Sequence, residues 1–391
     1  MKKSKSIFGL VLVFALMTAS LAACGSSGSG KFMIGGIGPL TGGAATYGMA
    51  VQNGAQIAVD EINGAGGIDG VEIEFNMQDD EHNAEKAVNA YNTLKDWGMN
   101  ILMGTVTSSP CTAIVPLSSA DNLFQLTPSA SSTEILVGND NVFQVCFIDP
   151  NQGIGSAEYI GQTGIYANDG SMVSNVAVIY DSSDVYSSGI YAKFAEEAGN
   201  QPFDIVATET FTADSNTDFS VQLQKARDAG AQLIFLPIYY EEATLILTQA
   251  AQMDYNPVFF GCDGLDGILG VENFDTSLAE GVILLTPFVA DAADAKTQAF
   301  VAEYQNRHGE IPNQFAANAY DAIYIFKALI ESSNAAATMS VSELGTALKT
   351  QIVGSFSFDG LTGDSMTWSA NGEVRKAPKA VVIIDGVYVG L

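Results

Sequence analysis

Between Phe32 and Val389 short apolar runs alternate with amphipathic stretches, and this alternation constrains the fold more than any other feature. Short apolar runs bounded by turn residues suit strands buried on both faces, whereas apolar positions three and four apart suit helices packed on one side. Interleaved, the two patterns give parallel sheets flanked by helices, an α/β architecture. Phe32 to Ile37 reads as a strand, and Val51, Ala55, Ala58, Val59 and Ile62 follow at helical spacing. A strand from Val71 to Met77 precedes a helix carrying Ala87, Val88, Tyr91 and Leu94. A strand at Asn100 to Met103, a helix from Pro110 to Ala120 and a strand at Leu123 to Thr127 complete one βα series.

A second series begins after Asp149-Pro150, where the residue before proline favours extended backbone. Its strands are predicted at Val176 to Tyr180, Asp204 to Glu209, Leu233 to Leu236, Val258 to Phe260 and Val282 to Leu285. Helices fall between them near Tyr186 to Ala198, Phe219 to Ala229 and Glu241 to Met253. After Thr286-Pro287 come three helices without an intervening strand, near Thr297 to Arg307, Phe315 to Glu331 and Val341 to Leu348. A hairpin around Phe356 to Trp368 and a final pair, Ala380 to Ile384 with Val387 to Val389, close the chain. At 391 residues the chain exceeds what one hydrophobic core serves. Two Rossmann-like α/β lobes facing each other follow. Ligands of such sheets bind beyond the carboxyl ends of the strands, so the expected site is the cleft between the lobes.

The N-terminus sets the compartment. Lys2, Lys3 and Lys5 precede an apolar run from Ile7 to Leu16, and Leu21-Ala22-Ala23-Cys24 follows. A basic start, a short apolar core and small residues mark a secretion signal over residues 1–23. The motif resembles the lipobox of bacterial lipoproteins, which implies acylation of Cys24 and attachment to the outer face of the cell membrane, with residues 24–30 as a Gly/Ser tether. No later segment is apolar enough to span a bilayer. The formal net charge is −28, and loss of three signal lysines makes the remainder more acidic still. Such a field repels phosphate backbones, which argues against a nucleic-acid partner. Cys111, Cys146 and Cys262 form no CxxC pair; a Cys111–Cys146 bridge and buried free thiols are both open.

Candidate functional residues collect at predicted strand ends. Gly35-Gly36-Ile37-Gly38-Pro39-Leu40-Thr41-Gly42 approaches a dinucleotide fingerprint, but Thr41 stands where the third glycine belongs, so a glycine-permitted tight turn is expected. In Thr107-Ser108-Ser109-Pro110, Ser109 and Pro110 suit N-cap and N1, and a helix start with two hydroxyls suits a carboxylate; capping alone also explains the residues. Pro128-Ser129-Ala130-Ser131-Ser132 repeats the chemistry after the next strand. Opposite, Gly261-Cys262-Asp263-Gly264 offers one carboxylate for an ammonium, or a turn aspartate, and Tyr239-Tyr240 ends another strand. Asp79-Asp80-Glu81-His82 lacks the ligand pattern of a cation loop and reads as a solvated loop. No metal site and no cofactor are expected. With two histidines and no GxSxG, HExxH or paired CxxC motif, catalytic signals are thin.

Together these residues resemble the branched-chain amino-acid (Leu/Ile/Val) receptors of ABC importers, which have the type I periplasmic-binding-protein fold. The resemblance rests on Ile37-Gly38-Pro39-Leu40-Thr41-Gly42 with Tyr47-Gly48, Asn53-Gly54-Ala55, and Ile62-Asn63 before Gly66-Gly67-Ile68. It rests also on Asp79-Asp80, Ser108-Ser109, Thr127-Pro128-Ser129-Ala130, Asp149 with Gln152-Gly153, and Tyr180-Asp181 before Tyr186. It implies that Ser108 and Ser131, with backbone amides such as those around Ser109 and Ala130, hold the ligand α-carboxylate. Asp263 and the Ser129 carbonyl would hold the ammonium, and Tyr47, Tyr186 and Tyr239 or Tyr240 would wall the side chain. The family usually has Glu where Asp263 stands and often a disulfide joining the loops near His82 and Thr107; neither is present. It further implies a hinge of three crossovers, with residues 31–148 plus 286–374 as one lobe and 149–285 plus 375–391 as the other. The function implied is capture of a small aliphatic amino acid by a monomeric receptor that delivers it to a membrane permease and breaks no bond. A ligand-sensing module of the same fold and a secreted hydrolase working through acidic residues are the alternatives.

Overall fold

A computed structural model describes residues 30–391; the signal segment expected over residues 1–23, the expected lipidation residue Cys24 and tether residues 24–29 lie outside the described residues. The first sheet contains β1 (Phe32–Gly38), β2 (Ile73–Asp79), β3 (Ile101–Gly104), β4 (Gln125–Thr127) and β5 (Val142–Gln144), all parallel, in the order β2-β1-β3-β4-β5. The second contains β6 (Asn175–Asp181), β7 (Asp204–Phe211), β8 (Leu233–Leu236), β9 (Val258–Gly261) and β10 (Ile283–Thr286). A short separate ribbon, β11 (Thr367–Trp368) with β12 (Val374–Arg375), precedes β13 (Lys379–Ile384) and β14 (Val387–Gly390), which extend the second sheet antiparallel. That sheet runs β14-β13-β10-β9-β8-β6-β7.

The helices are α1 (Ala45–Gly64), α2 (Ala84–Trp97), α3 (Ser108–Ala120), α4 (Asp149–Thr163), α5 (Val185–Ala198), α6 (Ser220–Asp228), α7 (Tyr240–Gln252), α8 (Ala295–His308), α9 (Gln314–Ser333) and α10 (Val341–Ile352). Strand alternation sorts the core into layers. In β3, Ile101 and Met103 pack with α1 and α9, while Leu102 packs with α2 and α3. In β8, Leu233 and Phe235 face α4 and α5, while Ile234 and Leu236 face α6 and α7. After β10 the chain returns through α8, α9 and α10 to the first sheet's helices, where α9 packs along α1. Gly54 permits that approach: a Cβ there would lie 2.1 Å from the Ala316 carbonyl oxygen.

Four sequence expectations need correction. The glycine-permitted turn falls only at Gly42 (φ 83°), ahead of α1; Gly35, Gly36 and Gly38 lie in β1, and a Cβ at Gly38 would meet Val106 at 2.3 Å, so close packing is their reason. Asp149 is not extended but opens α4, and the extended residue is Ile148. Helix α4 has no counterpart in the sequence reading because its glycines are poor helix formers. Yet a Cβ at Gly153 would lie 2.4 Å from the Ile190 carbonyl oxygen, so tight packing on α5 depends on the residue that weakens the helix signal. The hairpin at 356–368 is reduced to a single Phe358–Met366 bridge followed by the β11–β12 ribbon. Cys111, Cys146 and Cys262 are all free and buried.

Candidate functional site

The carboxyl ends of both sheets face one cleft, and in this structure the cleft is shut. Tyr47, from the first turn of α1, donates through its hydroxyl to the Gly264 carbonyl oxygen and accepts from the Tyr240 amide at 3.0 Å. The Thr46 amide donates to the Tyr240 hydroxyl at 3.1 Å, and Ser109 Oγ donates to Asp184 Oδ2 at 2.9 Å. The Gln314 amide donates to Asp266 Oδ2 at 3.0 Å. Each bond joins the first sheet's elements to the second's.

Within the closed cleft, Tyr47, Ser108, Ser129, Tyr186, Tyr239 and Asp263 line a small cavity of about 230 Å³, counting space open to solvent. These are six of the residues singled out from sequence. Val106, Thr107, Gly264 and Phe315 line it as well. Phe315, at the start of α9, lies far along the chain from the other lining loops, and no local pattern distinguishes it from core. Tyr239 stacks on Tyr186 at 4.8 Å, and Tyr47 packs against Phe315 at 4.4 Å. Tyr240 supports the wall from behind, edge-on to Tyr47 at 4.6 Å.

Helix α3 begins two residues earlier than a Ser109 cap allows. Thr107 is the N-cap residue and its side chain makes no capping bond; its hydroxyl instead meets His82 Nδ1 at 2.9 Å. Ser109 is therefore freed to reach Asp184 across the cleft. Ser108, almost fully buried, accepts the Ser132 amide at 3.2 Å, which leaves its own proton to donate. The first amides of α3 have no intrahelical acceptor and carry the positive end of the helix dipole. Ser129 Oγ donates to the Val106 carbonyl at 2.5 Å and ties the two loops together. Both backbone groups of Ala130 are engaged inside the lobe, its amide by Thr127 Oγ1 and its carbonyl by Gln144 Nε2. Ser131 Oγ and the Asp149 carboxylate are buried side by side, each the other's polar neighbour.

Asp263 opens the turn after β9. Its Oδ1 accepts from the Tyr186 hydroxyl at 2.7 Å, and that hydroxyl accepts the Gly264 amide at 2.9 Å. Tyr186 thus bridges the loop and aims the carboxylate into the cavity. Burial raises the Asp263 pKa to about 7, opposed in part by the Tyr186 bond. Asp149 is raised well above the carboxylate range, again chiefly by burial. The Asp79–His82 segment is the solvated loop expected only at Glu81, which is exposed: Asp80 is fully buried, and His82 stands edge-on to Tyr239 at 5.4 Å. Among the described residues no group of three or more His, Cys, Asp or Glu could hold a metal ion.

A space with donors on one wall, a single buried carboxylate on the other and aromatic rings between complements a small zwitterion with an apolar body. Two lobes closing over such a space make a solute-binding protein. The sequence matches the periplasmic binding protein family over residues 31–382, and the chain belongs to that family. The leucine-, isoleucine-, valine-, threonine- and alanine-binding protein of Pseudomonas aeruginosa is 26% identical over 332 residues, spanning 85% of this chain and 86% of that one. The branched-chain amino acid transporter substrate binding protein LivJ of Streptococcus pneumoniae, solved in complex with isoleucine, superposes with a TM-score of 0.81 at 28% identity, covering 92% of this chain and 100% of that chain. A solute binding protein from R. palustris in complex with benzoate has a TM-score of 0.79 at 19% identity, covering 93% and 96%, and shares the fold. No helix among the described residues is long and apolar enough to cross a membrane.

Proposed function

We propose that the protein is a lipid-anchored receptor that captures a small aliphatic amino acid, of the branched-chain type, and hands it unchanged to a membrane permease. The observation that carries this reading is the placement of the buried Asp263 carboxylate and the Ser108 hydroxyl on the same small cavity, from opposite lobes. The ligand ammonium pairs with Asp263 and the Ser129 carbonyl. Its carboxylate takes the Ser108 hydroxyl and the first amides of α3, with Ser131 as a further donor, and Tyr47, Tyr186, Tyr239 and Phe315 enclose the side chain. A ligand so held bridges residues 31–148 plus 286–374 and residues 149–285 plus 375–391, so it stabilises closure about three crossings. Exclusion of water then strengthens each charged contact. The names of the relatives support this ligand class.

Cys24 and the Gly/Ser tether keep such a receptor at high local concentration beside its permease. Incubation of the purified protein with leucine, isoleucine and valine, followed by denaturation and chromatography, tests receptor against hydrolase. The receptor returns each bound amino acid intact; turnover or absence of retained ligand contradicts it.

A further inference from the structure

We propose that a groove on the flank of the lobe interface is a second binding site, for a small molecule with an apolar body and a positive charge, and that it is formed by closure of the lobes. The groove encloses about 1610 Å³, including space open to solvent, against about 230 Å³ for the cavity at Asp263. One wall comes from α1, α8 and the segment before α9, with Met49, Val301 and Ile311. The other comes from the turn after Asp266 and from β14, with Leu269, Val387 and Val389. Met49, Ile311 and Val387 are 48%, 50% and 44% exposed, so large apolar surface from both lobes faces the groove and solvent together. Such surface favours an apolar occupant.

Charge selects among apolar occupants. Asp291 and Glu310 line the groove, and no Lys, Arg or His lies within salt-bridge distance of either among the described residues. Among the described residues the one side chain that hydrogen-bonds Glu310 is Tyr304, whose hydroxyl donates to it at 3.4 Å. An ammonium placed there gains two carboxylates, whereas an anion meets two like charges. Because the walls belong to different lobes, an occupant contacts both only when they are closed. It therefore stabilises the same state as a ligand in the cleft, and each tightens binding of the other. This coupling rests on the hinge reading above; the groove's own chemistry does not.

Gly270 supplies the test variant, since nothing lies within 4 Å of a Cβ placed there and its backbone is not left-handed. Gly270→Trp therefore starts its side chain from open space at the groove wall and places an indole where the occupant would lie. Calorimetric titration of the full-length protein with 4-phenylbutylammonium and 4-phenylbutyrate should show the ammonium binding at least about tenfold more tightly. Gly270→Trp should lose that binding while the protein still binds leucine, no more weakly than before, and Asp291→Asn with Glu310→Gln should abolish the preference for the cation. Absence of heat with the ammonium, or binding indifferent to Gly270→Trp, overturns the site. With leucine present the ammonium should bind more tightly, and equal affinity overturns the coupling. Failure of leucine itself to bind overturns the reading of the cleft alone, because the comparison of probes and variants needs no leucine.

Discussion

Replacing Asp263 with asparagine separates a binding role from a folding role. The carboxylate is buried, and its Oδ1 accepts from Tyr186 at 2.7 Å. The asparagine carbonyl oxygen can accept the same bond, so the loop after β9 keeps its geometry. What disappears is the negative charge proposed to face the ligand ammonium. A hydrogen bond to a charged group contributes about 1.5–3 kcal/mol, and breaking a buried pair costs about 3–5 kcal/mol. With the Ser129 carbonyl still present, a loss of about 2–4 kcal/mol is expected, or about 30- to 900-fold in Kd. Stability should move the other way. Burial lifts the Asp263 pKa to about 7, so at pH 8 the ligand-free protein carries a costly buried charge that asparagine removes. Calorimetric titration with leucine should therefore show a much weaker Kd, while the ligand-free Tm at pH 8 stays level or rises. Wild-type affinity in the variant would remove Asp263 from the site, and a parallel fall in Tm would make its role structural.

The same carboxylate gives binding a pH dependence: below about pH 7 the free protein holds a proton on Asp263 that an ammonium must displace, so Kd should rise toward tenfold per unit as pH falls, measured by titration in matched buffers. Ligand-free stability should run oppositely. Asp80, Asp263 and Asp266 have pKa values raised to about 7, 7 and 6 by burial, so the folded state binds more protons than the unfolded, and Tm should be higher at pH 6 than at pH 8. Ser109→Ala removes the bond to Asp184 that spans the closed cleft and should weaken ligand binding by about 1 kcal/mol, mainly through faster release in stopped-flow measurements. Gly153→Leu forces a side chain into the Ile190 backbone and should cost about 3 kcal/mol or more of stability, seen in denaturant unfolding.

Much of the architecture was legible because strand burial and helix period differ so clearly here. Leu233–Leu236 has the same limits in sequence and structure, since a fully apolar run bounded by Gln232 and Pro237 leaves no competing pattern. Helix α4 was invisible for the opposite reason: its glycines serve contact with α5, and contact between distant elements leaves no local period. The site divides in the same way. Ser108, Ser129 and Asp263 stand at strand ends, where α/β topology concentrates ligand contacts, so their positions could be read from order alone. Phe315 could not, because it reaches the cavity only through the return of the chain to the first sheet. Ser109 was legible as a polar helix-start residue but not as a contact across the cleft, because its partner Asp184 lies on a separate lobe. Asp80 misled in its acidic company; its burial depends on the fold around β2, not on its neighbours in sequence.

The central claim is that closure of the two lobes on one amino acid is what this protein does. Isothermal titration of the purified protein against the twenty amino acids at pH 7.5 tests it most directly. The account predicts saturable one-to-one binding of leucine, isoleucine or valine, with a negative heat-capacity change from the apolar surface that closure buries. Silence across the whole panel would contradict it.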